Sequence, residues 1–313
     1  MSVGKRLNDD DVRDIYRRIS NWKRWGAEDE RGALNYITAE HCRKASALIK
    51  EGLSISCASP VDTIPSPTNI FPAQHYLTMA GDVAPTKGPS FTYDYIGVFS
   101  HGPSQTHIDA LCHVADSGKM FNGHPASAVQ STGAKHLAVT TGRDGIVSRG
   151  VLLDIAGSRG VDFIEAEDPI RPDDFLAAEK KAGVQVSQGD ILIYRTGRHQ
   201  RRAKKGPFAE RLDGKTYLAG IYPDCLEWIG DRKVALLGSD SAHDVLPAPF
   251  PEEQFPIHVG AQVYMGVQLL HNLQLDRLLK HCQETRRWEF FFSVQPLYII
   301  GGTASPVNPI AIF

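Results

Sequence analysis

The chain has 313 residues, with 34 Lys and Arg against 36 Asp and Glu, a formal charge of −2 and 42% apolar residues. That balance belongs to a globular protein with a full core and gives no electrostatic reason to bind nucleic acid or anionic lipid. No run approaches the ~18 apolar residues of a membrane span, no apolar leader run follows Met1, and five widely spaced cysteines without a C-x-x-C pair fit reduced thiols, so the expected localisation is cytoplasmic.

In chain order, Val12, Ile15, Tyr16 and Ile19 share one helical face behind an acidic start. Thr38 is placed to cap a helix through Lys50, which Gly52 then stops. Residues 53–57 alternate as a strand does. The stretch 59–90 is rich in proline and poor in periodicity, and reads as a long surface excursion. Strands are expected at 150–155 and 190–194, with a helix from Pro172 to about 181 between them. Helix 223–229, strand 234–237, helices around 260–269 and 274–282, and strand 289–295 complete a mixed α/β pattern. The basic run from Arg198 to Lys205 reads as a solvated loop. No repeat or linker divides the chain, so a single domain over 1–313 is expected, with an N-terminal helical extension over about 1–50.

An even spread would put about one of the twelve histidines in any 24-residue window, yet 101–124 holds His101, His107, His113 and His124. If this stretch is a strand, period 2 puts His101, Gln105, His107 and Asp109 on one face. Imidazole and carboxylate two residues apart can then converge on one divalent cation, with His113 just beyond. A second candidate set, Ser239, Asp240, Ser241, His243 and Asp244, follows an apolar strand, where α/β proteins commonly place ligand-binding groups. Ser239 and Asp240 are expected to orient substrate or the groups behind it. Trp25, Phe71, Tyr93 and Phe121 are candidates to line a pocket for a flat ring. No G-x-S-x-G elbow, phosphate-binding glycine loop or H-E-x-x-H occurs.

The segment Thr106-His107-x-Asp109-Ala110-x-x-His113 resembles the core of the signature H-x-G-T-H-x-D-x-P-x-H of the putative cyclase family of metal-dependent hydrolases, which includes kynurenine formamidase, isatin hydrolase and, more distantly, trans-dienelactone hydrolase. Trp25-Gly26, Gly32-Ala33-Leu34-Asn35, Phe121-Asn122-Gly123, Arg195-Thr196-Gly197, Gly238-Ser239-Asp240 and the tail 301–309 extend the resemblance along most of the chain, in the manner of a longer subgroup. The resemblance implies a swivelling β/β/α cyclase-like fold, α/β with a partly open barrel and flanking helices, and an assembly as homodimer or homotetramer. It further implies that His107 and Asp109 bind metal, that His258 is a downstream His ligand, that His271 stands where Glu is usual, and that His113 has an acid/base role. The first signature His falls on Pro103, the Gly on Gln105 and the Pro on Leu111.

With that departure, the expectation is one divalent metal, Zn or else Mn, held by His107, Asp109, His258 and His271. His101 is an open alternative for the missing imidazole, six residues before His107 instead of four. His113 and Asp109 are the catalytic candidates; Ser239, Asp240, His101 and Gln105 are the substrate-binding ones. The expected activity is hydrolysis of an amide or lactone bond in a small, cyclic or aromatic molecule. The rivals are metal-dependent dehydration or cyclisation, a redox metalloenzyme, and a non-catalytic ligand-binding protein.

Overall fold

A computed structural model describes residues 6–83, 87–206, 208, 210–212 and 214–313. Residues 1–5 and 84–86, parts of the expected N-terminal extension and of the 59–90 excursion, lie outside the described residues.

Among the described residues one sheet holds nine strands: β1 (Ser54–Ser56), β2 (His107–Asp109), β3 (Ile146–Asp154), β4 (Ile191–Arg195), β5 (Leu236–Ser239), β6 (Gln268–His271), β7 (Glu289–Val294), β8 (Ala304–Pro306) and β9 (Ile310–Ile312). Their order is β1-β9-β7-β3-β4-β5-β6-β2-β8. The four central strands β3 to β6 run parallel, and the flanking pairs are antiparallel. The sheet is strongly curled into a half-barrel with helices packed against it.

The central strands carry consecutive apolar residues, as at Val151–Leu153, Ile191–Tyr194, Leu236–Leu237 and Leu269–Leu270, because both of their faces are covered. Alternation sends Val151, Leu153, Leu192, Tyr194, Leu237 and Leu269 into one core, beside helices α1 (Asp9–Ile19), α3 (Pro172–Ala182) and α5 (Cys225–Asp231). It sends Leu152, Ile191, Ile193, Leu236 and Leu270 into the other, with Phe290, Phe292 and helix α6 (Asp276–Thr285). Helix α1 starts at Asn8, whose side chain accepts from the Asp11 amide at 2.8 Å while the Asp11 carboxylate accepts from the Asn8 amide at 3.1 Å. Its Val12, Ile15 and Tyr16 join the first core, as the periodicity requires.

Several elements depart from the sequence reading. Helix α2 spans Ala39–Ser46 with Thr38 as its cap, and gives way to turns before Lys50. The proline-rich excursion contains strand Gln74–Met79, which pairs with Tyr93–Gly97 in a hairpin outside the main sheet. The basic run is helix α4 (Arg198–Lys205); Arg198 and Arg201 are buried on it, because Glu210 and Glu165 neutralise them. The helical pattern around 260–269 is a π-helical segment, Val259–Met265, closed by Gly266 in the left-handed region at φ 69°. The residues after it form β6, so His271 stands on a central strand and not at a helix end. All five cysteines are unpaired, and Cys57, Cys112, Cys225 and Cys282 are buried.

Gly32 shows how tightly the N-terminal segment is seated. It lies at φ +56°, and a Cβ there would fall 2.3 Å from the Gly266 carbonyl oxygen, which already accepts from the Ala33 amide at 2.7 Å. Only backbone is in the way, so relief requires the two chains to part. Gly32→Ala is expected to cost ~2–4 kcal/mol, from left-handed strain plus overpacking; a thermal melt of the purified variant falling several degrees below the parent checks it.

Candidate metal centre

The alternation that buries Ile108 and Leu270 in one core turns His107, Asp109 and His271 to the opposite face. Antiparallel register sets His107 directly across from His271, their rings stacked at 4.8 Å. His271 ends its strand at the carboxyl edge of the parallel strands, where open α/β sheets offer their ligand crevice.

Asp109 is 1% exposed and is faced by five histidines among the described residues. His101 Nδ1 lies 2.9 Å from its Oδ1 and His107 Nε2 3.5 Å. On the Oδ2 side stand His271 Nε2 at 3.0 Å, and His113 Nε2 and His258 Nε2 at 3.8 Å each. Gln262, from the π-helical segment, donates to the same oxygen at 3.3 Å. His101 and His113 stack at 3.9 Å, and His258 and His271 at 5.2 Å.

Three of the ring nitrogens pointing away are engaged, among them His101 Nε2 with Thr303 Oγ1 at 3.0 Å. His107 Nδ1 donates to the Gln105 carbonyl at 2.8 Å, and His258 Nδ1 hydrogen-bonds the Asp244 carboxylate. Asp244 is itself fixed by the Ile257 amide at 2.7 Å. These bonds leave Nε2 of His107 and His258 facing Asp109, as outer partners do around ligating histidines. Burial would raise the Asp109 carboxyl, but His271 and His101 beside it hold it well below the usual carboxylate range. Burial pushes His107 down, His113 to about 4 and His271 to about 3. His258 is pushed down by burial too, but Asp244 outweighs that and raises it. The set therefore pairs an ionised carboxylate with the neutral imidazoles of His107, His113 and His271, the protonation state in which such groups ligate metal.

Two further facts fit a cation. His101 Nδ1 and Asp109 Oδ1 are close but not aligned for a hydrogen bond, so both are buried without a partner, as is Gln262 Oε1. Moreover, two triads have ligand atoms mutually within 4.8 Å, His107–Asp109–His271 and His101–Asp109–His113, sharing the one carboxylate.

The cluster forms one wall of a cavity of about 580 Å³, also lined by Ile70, Pro103, Asp116, Arg198, Phe255 and Asn272. Buried Asn272, at φ 56°, donates to the Gly102 and Gln105 carbonyls, and Arg198 donates to the Pro103 carbonyl at 3.1 Å. Arg198 is held in turn by Glu210, at 2.7 and 2.8 Å.

Sequence reasoning placed His107, Asp109, His113, His258 and His271 together, and the structure brings them together. His101 arrives as well, from a turn before the strand and not by strand parity, because pairing starts only at His107. Gln105 does not reach the cavity: its side chain donates to the Asp62 carbonyl at 3.3 Å. Ser239 and Asp240 are buried away from it. Asp240 accepts from the amides of Thr196, Gly197 and Arg198, and Ser239 from the Ser241 amide. None of Trp25, Phe71, Tyr93 and Phe121 lines the cavity, and Phe255 does. Gln262, Asn272 and Arg198 were missed as site residues, since they come from the π-helical segment, the residue after β6 and helix α4, which only the folded chain brings together.

The sequence profile described as putative cyclase matches residues 53–243. A solved structure described as a novel cyclase is 31% identical, with TM-score 0.85, over 95% of this chain and 99% of that one. The chain therefore belongs to the putative cyclase family. An isatin hydrolase bound to the product analogue thioisatinate shares the fold at 18% identity and TM-score 0.60, over 88% of this chain and 98% of that one. Isatin hydrolase A from Ralstonia solanacearum does so at 20% and 0.56, over 83% and 91%. No curated protein matches the chain.

The cavity wall depends on Glu210. Burial would raise its carboxyl, but Arg198 and Arg202 outweigh that and bring it from the ordinary 4.5 down to about 2. A lowered native value means stability fully present above the ordinary value and lost as pH falls through the native one. Glu210→Gln leaves Arg198 buried with its main counter-charge gone, and is expected to cost ~3–5 kcal/mol at neutral pH. Urea unfolding at neutral pH and near pH 3 checks it, the gap to the parent narrowing at the lower pH.

Proposed function

We propose that this protein is a metal-dependent hydrolase that opens an amide or lactone bond in a small cyclic or aromatic substrate. The observation that carries the reading is the buried Asp109 carboxylate, ringed by histidines with unpartnered ligand atoms at the wall of a ligand-sized cavity. The isatin hydrolases that share the fold support the hydrolytic class and a flat, ring-containing substrate.

His107, Asp109, His258 and His271 would hold one divalent cation, Zn or else Mn, from a nitrogen and oxygen donor set that suits either. When bound, such an ion polarises a carbonyl and makes water more acidic. His113 has the most exposed side chain of the five imidazoles, at 31%. It takes the proton as water oxygen bonds to the substrate carbonyl carbon, and returns it to the nitrogen or oxygen whose bond to that carbon breaks. His101, held by Thr303 Oγ1 at 3.0 Å, stands 2.9 Å from Asp109 Oδ1 and offers there the imidazole that Pro103 cannot. Phe255 and Ile70 give the cavity the apolar surface that a flat ring needs.

We further propose that the working form is a homodimer or larger homo-oligomer. The hairpin of Gln74–Met79 and Tyr93–Gly97 exposes Tyr76, Leu77, Met79, Tyr95 and Ile96, Ile96 to 61%. A lone two-stranded ribbon with apolar residues on both faces is not stable in water, so a second copy covers it. Among the described residues no helix is long and apolar enough to cross a membrane.

Asp109→Asn is expected to remove one metal per chain, read by mass spectrometry, and to abolish hydrolysis of ring amides and lactones. His113→Ala should keep that metal and lose ~10²–10⁴ in kcat. Equal metal content and turnover in Asp109→Asn and the parent would overturn the proposal. Tyr76→Lys with Ile96→Lys should convert the assembly to monomers by light scattering; a parent already monomeric would refute the assembly.

A further inference from the structure

Away from the cavity, three ligand-type side chains converge from separate segments. Glu30 follows the turn after Trp25, His124 follows the turn Phe121–Gly123, and His136 follows the short strand Gly133–Ala134. Their ligand atoms all lie within 4.8 Å of one another. We propose that Glu30, His124 and His136 form a second site, for a divalent transition-metal ion of the zinc type, that clasps the N-terminal segment around Glu30 to the loop from 118 to 137.

The geometry is that of a site already built. Glu30 Oε2 accepts from the Leu137 amide at 2.9 Å, and Oε1 is hydrogen-bonded to His136 Nδ1 at 2.7 Å, a contact that an entering cation replaces. The two imidazoles stack with their planes 28° apart and their centroids at 4.6 Å, and His124 Nε2 is buried with no partner. A ring nitrogen shut away from water beside a second imidazole and a carboxylate is costly as it stands and satisfied by a cation. Two imidazole nitrogens and one carboxylate oxygen are a common zinc donor set that leaves a position for water. The side chains of Glu30 and His136 are 34% and 41% exposed, which gives that water and the entering ion their approach.

The two segments are also held in register without an ion. Asn122 Nδ2 donates to the carbonyls of Gly26 and Ala27 at 2.9 Å each and of Asp29 at 3.1 Å, and Asn122 Oδ1 accepts from the Lys23 amide at 2.6 Å. Binding therefore does not have to order a loop first. None of the three residues lines the cavity beside Asp109, so the two sites share no ligand.

The test is zinc titration by calorimetry, and visible absorption after Co²⁺ substitution, on the full chain carrying Asp109→Asn. That background should bind one ion per chain, show cobalt bands of a low-coordinate N,O site, and melt at a higher temperature with zinc than without. Adding His136→Ala should weaken binding by more than the roughly 10–100-fold that losing an outer partner causes, and should erase the bands and the melting shift. Half-exposed His136 tolerates truncation, and Glu30→Gln, which keeps the acceptor for the Leu137 amide, should weaken binding in the same direction. Equal affinity and stoichiometry with and without His136→Ala, or no binding in either protein, overturns the proposal. If the Asp109 centre is not a metal site, Asp109→Asn and the parent bind equally, and loss on His136→Ala still reports the second site.

Discussion

Everything at this centre follows from burying one carboxylate. Asp109 sits on a short strand between two others, 1% exposed, and an ionised carboxylate there is tolerable only if its surroundings supply donors or positive charge. The chain answers with imidazoles from four places: a turn before the strand, the strand and its exit, the start of the π-helical segment, and the end of the neighbouring strand. Each imidazole is in turn anchored or stacked, so the demand for compensation propagates outward to Asp244, Thr303 and the Gln105 carbonyl. The register that buries Ile108 and Leu270 in the core is also the one that sets His107 and His271 beside this carboxylate.

The sequence disclosed those parts of the site that are local. His107, Asp109 and His113 lie within seven residues, and their density stands out in a chain of 12 histidines. The partners His258 and His271 were reached through resemblance to the family, since a histidine among leucines looks the same on a helix as on a buried strand. His101 was legible as a candidate but with the wrong cause, because strand parity does not operate on a turn. Ser239 and Asp240 had the right address, just past a strand end, and another job: Asp240 gathers three backbone amides at the start of α4. A motif at a strand end tells that polar groups are needed there. It does not tell whether a ligand or the backbone needs them.

The fold was legible where local signals agree. The acidic first turn marks α1, Pro172 opens α3 as its first helical residue, and the apolar stretches of β3, β4 and β5 need two covered faces. It was obscured where a segment's structure is decided by distant contacts. The π-helical segment and β6 form one apolar stretch whose break at Gly266 is set by contact with Gly32, more than two hundred residues earlier. The basic run looked solvated because the charges that bury it, Glu165 and Glu210, come from loops with no pattern of their own.

One feature of the cavity wall bears on how this chain departs from the family pattern. The turn from Gly102 to Gln105 is gripped by Asn272 and Arg198 through carbonyl oxygens alone, those of Gly102, Pro103 and Gln105. Every residue type, proline included, presents that oxygen. Asn272 and Arg198 thus fix the path of the turn without reading the side chain at position 103, whereas Ser104 and Gln105 are held through their side chains by Asn69 and the Asp62 carbonyl. The position where the family signature has its first His can therefore be Pro103 without loosening that grip, and His101, just before the turn, brings an imidazole to the same carboxylate from a neighbouring point of the chain.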